Sequence, residues 1–115
     1  MTDARLNYVE LPVGDAGASA HFFEAAFGWS LTAFGPTYAA TTTGDVDVGL
    51  QGEAAEATAA PLPVIHVGDL DAVHAAVVAA SGVITRAPFD FPGGRRFHFR
   101  EPGGCELAAW TQSPH

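Results

Sequence analysis

Two stretches decide the fold: Leu6-Asn-Tyr-Val-Glu-Leu-Pro-Val-Gly-Asp15 and Leu62-Pro-Val-Ile-His-Val-Gly-Asp69. Val13-Gly14-Asp15 of the first returns as Val67-Gly68-Asp69 of the second, an internal repeat. In each copy the apolar run before the repeated triplet reads as a strand. Asp15 and Asp69 then stand where a helix begins, with carboxylates able to accept the unbonded amide protons of the first turn. After Asp69, the residues Leu70, Val73, Val77 and Ala80 recur at helical spacing. The matching first-copy stripe is Ala16, Ser19, Phe23 and Ala26, which Phe22 and Phe27 widen. Gly28 and Gly82 fall where a helix closes through the left-handed backbone region.

Beyond each helix the apolar period shortens to two. Trp29 to Phe34, Thr37 to Thr43 and Asp45 to Gln51 read as three strands of the first copy. Val83 to Arg86, Arg95 to Arg100 and Cys105 to Thr111 read as their counterparts. Gly35-Pro36, Gly44, Pro92-Gly93-Gly94 and Pro102-Gly103-Gly104 supply the turns between them. The expected fold is α+β, two βαβββ modules in tandem with mostly antiparallel curved sheets around a shared cavity and one helix each. Module 1 covers about 5–51, a linker of residues 52–60 follows, and module 2 covers about 61–112 of a single domain spanning 1–115.

Composition narrows the function. The 115 residues are 48% apolar, enough for one domain with its own core. There is no lysine, which removes Schiff-base chemistry, and a single cysteine, Cys105, which removes disulfide frameworks and Cys-rich zinc modules. The net charge is −8, and the first 60 residues hold eight acids against one arginine. Such a surface repels a phosphate backbone, so nucleic acid is excluded as a partner and cationic or neutral small ligands fit better. No apolar run is long enough to span a membrane and no basic-then-apolar leader opens the chain. A cytoplasmic protein with no membrane partner is expected.

Tyr8-Val-Glu-Leu-Pro-Val-Gly-Asp15, His21-Phe-Phe-Glu24 and Phe27-Gly28-Trp29 together resemble the first module of the vicinal oxygen chelate superfamily, which contains glyoxalases, bleomycin resistance proteins and extradiol dioxygenases. His66-Val-Gly-Asp-Leu-Asp71 and Phe99-Arg-Glu-Pro-Gly-Gly104 resemble its second module. The resemblance implies a homodimer and, in metal-using members, ligands on the first and last strands of the modules. It would place them at Tyr8, Leu62 and Ala108. Leucine and alanine carry no donor atom, and tyrosine is a poor ligand for zinc, nickel or manganese. The usual metal is therefore not expected, and no cofactor is assigned.

Strand alternation supplies other residues for the cavity. If Tyr8 points inward, so do Glu10 and Pro12, and if Ala108 does, so do Glu106 and Trp110. His66 shares the face of Leu62, while Arg96, His98 and Arg100 share one face of their own strand. The candidate ligand-binding set is Tyr8, Glu10, His66, His98, Glu106 and Trp110, with Glu10 and His66 as the acid–base candidates. Each also has a plainer reading. Glu10 suits an ion pair with Arg5 or Arg100, His66 a hydrogen-bonded structural role, Glu106 a solvated strand end, and Tyr8 a core tyrosine. His21 and His74 are expected to face solvent, Trp29 to cap the core between helix and sheet, and His115 to be a loose terminus.

Two functions follow. The first is a glyoxalase-like protein that binds a small cationic or aromatic molecule in its cavity without the usual metal. The alternative is a lyase or isomerase using a displaced divalent ion or a Glu/His acid–base pair.

Overall fold

The computed structural model describes residues 3–113, so His115 lies outside the described residues. The element order is strand, helix and three strands, given twice. The first set comprises β1 (Arg5–Pro12), α1 (Ala16–Phe27), β2 (Thr32–Ala33), β3 (Tyr38–Ala40) and β4 (Asp47–Gln51). The second comprises β5 (Leu62–His66), α2 (Leu70–Ala79), β6 (Val83–Phe91), β7 (Gly94–Arg100) and β8 (Glu106–Gln112). This is the α+β, doubled βαβββ arrangement that the repeat predicts. The chain divides into two compact units, Asn7–Leu62 and Pro63 onward, the latter taking in the chain start up to Leu6.

In the first unit β2 and β3, then β3 and β4, pair antiparallel, and β4 returns beside β1 in parallel. The parallel register puts Tyr8 opposite Asp47, Glu10 opposite Gly49 and Pro12 opposite Gln51. Parallel neighbours need a crossover, which α1, β2 and β3 provide. Alternation then gives the sheet two faces. Leu11, Val48, Leu50 and Ala39 pack with Ala16, Ala20 and Phe23 of α1. Tyr8, Glu10, Gly49 and Tyr38 have the opposite parity and take the helix-free face.

The second unit repeats the pattern, with β5 parallel to β8 and β6, β7 and β8 antiparallel. Ile65, Phe97, Phe99, Leu107 and Ala109 pack against Leu70, Val73 and Val77 of α2. Arg96, His98, Glu106, Ala108 and Trp110 therefore share the other face, with His98 opposite Ala108 and Arg96 opposite Trp110.

Both aspartate caps form: Asp15 Oδ1 accepts from the Ala18 amide at 3.2 Å, and Asp69 Oδ1 from the Ala72 amide at 3.0 Å. Gly28 closes α1 in the left-handed region (φ 71°), as expected. At the end of α2 the expectation fails. Ser81, not Gly82, adopts the left-handed backbone (φ 76°). Gly82 is needed there for room instead, since a Cβ would meet Val77 Cγ1 at 2.5 Å.

Other sequence readings also need correction. The expected strand Trp29 to Phe34 shrinks to Thr32–Ala33. Phe22 and Phe27 do not widen the buried stripe of α1, since they are 56% and 61% exposed. Trp29 does not cap the core either; it is 39% exposed and stacks on Phe23 at 5.1 Å. Alpha-helical period alone cannot say how wide the contact is, and a sheet whose far strand has two residues covers little of a 12-residue helix. His74 turns its ring edge-on to Phe97 at 4.9 Å and is half-buried rather than solvent-facing. The strand expected at Val83 to Arg86 runs on to Phe91 through Pro88. Proline is tolerated there because β6 is an edge strand whose register shifts between Arg86 and Phe89. Among the described residues no helix is long and apolar enough to cross a membrane.

Candidate functional site

In the first unit, the strand parities of β1, β3 and β4 bring three polar side chains together. The Tyr38 hydroxyl donates to Glu10 Oε1 at 3.0 Å, and the Tyr8 and Tyr38 hydroxyls are hydrogen-bonded at 2.5 Å. Glu10 is only 3% exposed. Burial, the charge of Glu10 and the neighbouring Tyr8 push the Tyr38 phenol well above the ordinary tyrosine range, so Tyr38 keeps its proton. Gly49 makes the arrangement possible. A Cβ there would stand 2.1 Å from both tyrosine hydroxyl oxygens, so the two rings occupy the space that any other residue would fill.

Next to this chain, Asp47 organises the turn before β4. It is 9% exposed and accepts from Thr41 Oγ1 at 2.7 Å, the Thr43 amide at 2.8 Å and the Gly44 amide at 3.0 Å. Burial by itself would raise its pKa, but these bonds outweigh it and hold the carboxyl below its ordinary value.

The helix-free face of the second unit carries a different set. His98 is 2% exposed, its Nδ1 is 3.5 Å from Glu106 Oε2, and Thr85 Oγ1 donates to the same oxygen at 2.8 Å. Glu106 is thus a tethered strand end rather than a freely solvated one. Among the described residues, the buried His98 Nε2 has no hydrogen-bond partner. Burial lowers the His98 pKa, and Arg96 and Arg86 lower it further against the opposing pull of Glu106, so the ring is neutral near pH 7. The Arg86 guanidinium lies 3.7 Å from the centre of the Phe89 ring, and that of Arg96 lies 5.3 Å from the same ring. His66 meets Trp110 edge-on at 4.9 Å, and its Nε2 is 2.6 Å from Gln112 Oε1.

The six candidates therefore fall into three pairs: Tyr8 with Glu10 through Tyr38, His98 with Glu106, and His66 with Trp110. The proposed acid–base partners Glu10 and His66 belong to different units, and each has a hydrogen-bond partner within its own. Tyr38 is the residue the sequence reading missed. Its signal was the alternation of Tyr38 with Ala39 next to Gly49, two strands whose register no periodicity specifies. Away from these faces, a groove of about 480 Å³ opens beside α1, lined by Leu11, Val13, Ala18, Phe22, Phe23 and Pro61.

Doubled βαβββ topology, with polar residues on the strand faces that the helices leave bare, defines the class of paired-module α+β proteins. Within that class, the family model of the Glyoxalase/Bleomycin resistance protein/Dioxygenase superfamily matches residues 5–108, and the chain belongs to this superfamily. Among curated proteins no sequence match is found. Similar solved structures include methylmalonyl-CoA epimerase from Mycobacterium tuberculosis, with TM-score 0.74 and 14% identity over 96% of this chain and 89% of that one. The Mn(II)-bound glyoxalase from Novosphingobium aromaticivorans gives TM-score 0.71 and 20% identity over 96% of this chain and 40% of that one. A superfamily member from Vibrio splendidus 12B01 gives TM-score 0.70 and 21% identity over 97% and 100%. At these identities the likeness is one of fold.

The superfamily raises the question of a divalent metal. Leu62 and Ala108 are fully buried hydrocarbons, and the Tyr8 hydroxyl is engaged with Tyr38. Among the described residues no three His, Cys, Asp or Glu side chains gather as a ligand set. The residues at the family's positions do not fit a metal.

Proposed function

We propose that this chain is a small-molecule binding protein of the glyoxalase/bleomycin resistance/dioxygenase superfamily that works without the family's usual metal. Its ligand meets the helix-free face at Tyr8, Glu10 and Tyr38. The observation that carries this reading is a buried carboxylate that accepts from Tyr38, itself hydrogen-bonded to Tyr8, while Leu62 and Ala108 supply hydrocarbon where a metal needs donors. The acidic first half of the chain supports a cationic or neutral ligand, and Trp110 and the Phe89 ring offer aromatic surface in the other unit. One observation favours an acid–base lyase or isomerase as the second reading: the buried His98 beside Glu106, two groups able to exchange a proton.

A homodimer belongs to the same proposal. Phe22, Phe27, Trp29 and Phe34 expose aromatic surface, and Glu24 is the only acid on α1. Such a face lets two strongly acidic chains meet without like-charge repulsion.

The test is elemental analysis and native mass spectrometry of untagged protein purified without chelators. A dimer mass with divalent metal far below one per chain is the expected result. Near-stoichiometric zinc, nickel, manganese or iron overturns the metal-free reading, and a monomer mass at micromolar concentration overturns the dimer.

A further inference from the structure

We infer that the helix-free face of the second unit holds a second ligand site, built on His98. Its Nε2 accepts a hydrogen bond from the hydroxyl of an uncharged alcohol, and Glu106 is the positioning residue that keeps that nitrogen free of a proton. The site lies in the other unit from Tyr8, Glu10 and Tyr38 and stands on observations of its own.

A neutral imidazole carries one proton, on either Nδ1 or Nε2. Burial, joined by the charges of Arg96 and Arg86, keeps His98 neutral near pH 7 against the pull of Glu106. Its Nδ1 stands 3.5 Å from Glu106 Oε2, and the Thr85 hydroxyl donates to that same oxygen at 2.8 Å. A carboxylate oxygen only accepts, so the imidazole proton belongs on Nδ1. With the proton on Nε2 instead, a nitrogen lone pair would face the carboxylate, and an N–H would be buried with nothing to receive it. The proton on Nδ1 leaves Nε2 a bare acceptor. His98 is 2% exposed and, among the described residues, that nitrogen has no partner. An unmatched buried acceptor is uncommon and costly, and a ligand group that donates to it removes the cost.

The surroundings choose the donor. Arg86 is the register partner of His98 on β6, Arg96 stands two residues along β7, and the charge of each reaches the ring. Four of the five arginines fall between residues 86 and 100, so the strands around His98 carry most of the cations of an otherwise acidic chain. An ammonium brought to Nε2 would meet those charges, and a carboxylate or phosphate has no proton to give. An uncharged hydroxyl satisfies both conditions. The Phe89 ring, 5.8 Å from the imidazole, and the Phe91 and Trp110 rings, 6.2 Å apart, supply apolar walls for the rest of the ligand. Arg86 and Phe89 also belong to β6, an edge strand whose pairing shifts on both sides of Arg86. The groups beside the buried nitrogen therefore sit on a strand paired on one side only, whose local opening costs less than that of a central strand.

The experiment uses three probes of similar size: benzyl alcohol, benzyl methyl ether (an oxygen with no proton to donate) and benzylamine (an ammonium at pH 7). Each is titrated into the 15N-labelled full chain and its His98→Phe, Glu106→Ala and Glu106→Gln forms. Amide shifts give affinity, and long-range spectra of the imidazole nitrogens give the place of the proton. In the parent, His98 Nε2 is expected to show the signal of a bare nitrogen, which moves toward the protonated value as benzyl alcohol binds. Benzyl alcohol should shift amides on β6, β7 and β8 and bind about tenfold more tightly than the ether, the worth of one hydrogen bond, with benzylamine the weakest. His98→Phe keeps a flat ring and brings alcohol and ether within about twofold. Glu106→Ala spreads the proton over both nitrogens and lowers the preference for alcohol, while Glu106→Gln, whose amide oxygen still accepts from Nδ1, restores it. A merely structural glutamate would not move the ring signal.

The amide spectra report whether each variant folds, and if His98→Phe does not, the parent ring signal and the two Glu106 forms decide. A proton on Nε2 in the parent, ether or benzylamine bound as tightly as benzyl alcohol, or a preference for alcohol that survives in His98→Phe overturns the inference. So does a bare Nε2 with no response of β6, β7 and β8 to any probe, the result expected if a fixed water already serves the nitrogen. Shifts on β1, β3 and β4 alone overturn this second site and leave the reading at Tyr8, Glu10 and Tyr38 standing. Shifts on β6, β7 and β8 alone support it without them.

Discussion

Replacing Gly49 by alanine tests whether the Tyr8–Tyr38–Glu10 arrangement is a built feature of the first unit. The new Cβ would stand 2.1 Å from each tyrosine hydroxyl oxygen and 2.8 Å from Tyr8 Cζ, all far inside van der Waals contact. Tyrosine rings are rigid, so both must swing away from β4, and the chain to Glu10 breaks. Losing the Tyr8–Tyr38 bond costs about 1 kcal/mol and taking the Tyr38 donor away from the buried Glu10 carboxylate about 2 kcal/mol. Overpacking adds about 1 kcal/mol. The sum is near 4 kcal/mol, a large share of the roughly 5–15 kcal/mol that holds a domain together. With an unfolding entropy of about 2.1 cal/mol/K per residue, each kcal/mol lowers Tm by about 4 °C, so the expected fall is about 16 °C. Thermal and urea denaturation of Gly49→Ala beside Gly14→Ala provide the assay, because a Cβ at Gly14 meets nothing within 4 Å. Gly14→Ala should be neutral or slightly stabilising. Adding Tyr8→Phe to Gly49→Ala removes one clashing oxygen, so the two changes together should cost at least about 1 kcal/mol less than their sum. A Tm fall below about 4 °C for Gly49→Ala, or strict additivity of the pair, refutes the reasoning.

Four other outcomes are expected. Ser81→Gly should raise stability by about 1 kcal/mol in urea denaturation, since Ser81 holds φ at 76° where a Cβ is penalised. Asp47→Ala should cost about 3 kcal/mol by leaving the Thr41 hydroxyl and two amides unmatched, and amide exchange of residues 41–46 should accelerate. The parent should also lose stability as pH falls through and below the ordinary Asp value of 3.8, because its folded Asp47 pKa is depressed; urea midpoints from pH 5 to pH 3 should fall less steeply in Asp47→Asn. His98 follows the same sign in a higher window. Its folded pKa lies below the ordinary 6.5, so the unfolded state takes up a proton first and stability drops as pH falls below 6.5. Urea midpoints of parent and His98→Gln between pH 7.5 and pH 5 should diverge, with the variant the flatter of the two.

Much of this was legible locally. The Val-Gly-Asp repeat located both helix starts because capping is an interaction among residues three apart, and each aspartate accepts the expected amide. The parity of Tyr8 with Glu10, and of Glu106 with Trp110, needed only the two-residue period of a strand. Misreadings came wherever the outcome depended on what lies opposite. Phe22 and Phe27 sit at helical spacing beside Phe23, yet only Phe23 meets the sheet. Ser81 takes the left-handed position while Gly82 lies close against Val77, a contact invisible to turn preferences.

The sequence by itself thus determined the doubled module, the caps and the family. All of these are matters of residue type and short spacing. Tertiary structure alone decided the site's composition. Tyr38 lies 28 residues from Glu10 along the chain and reaches it only because β4 returns parallel to β1 and carries β3 alongside, leaving Gly49 beneath both rings. Register between strands that far apart is set by packing of the whole sheet on α1, and no local pattern encodes it.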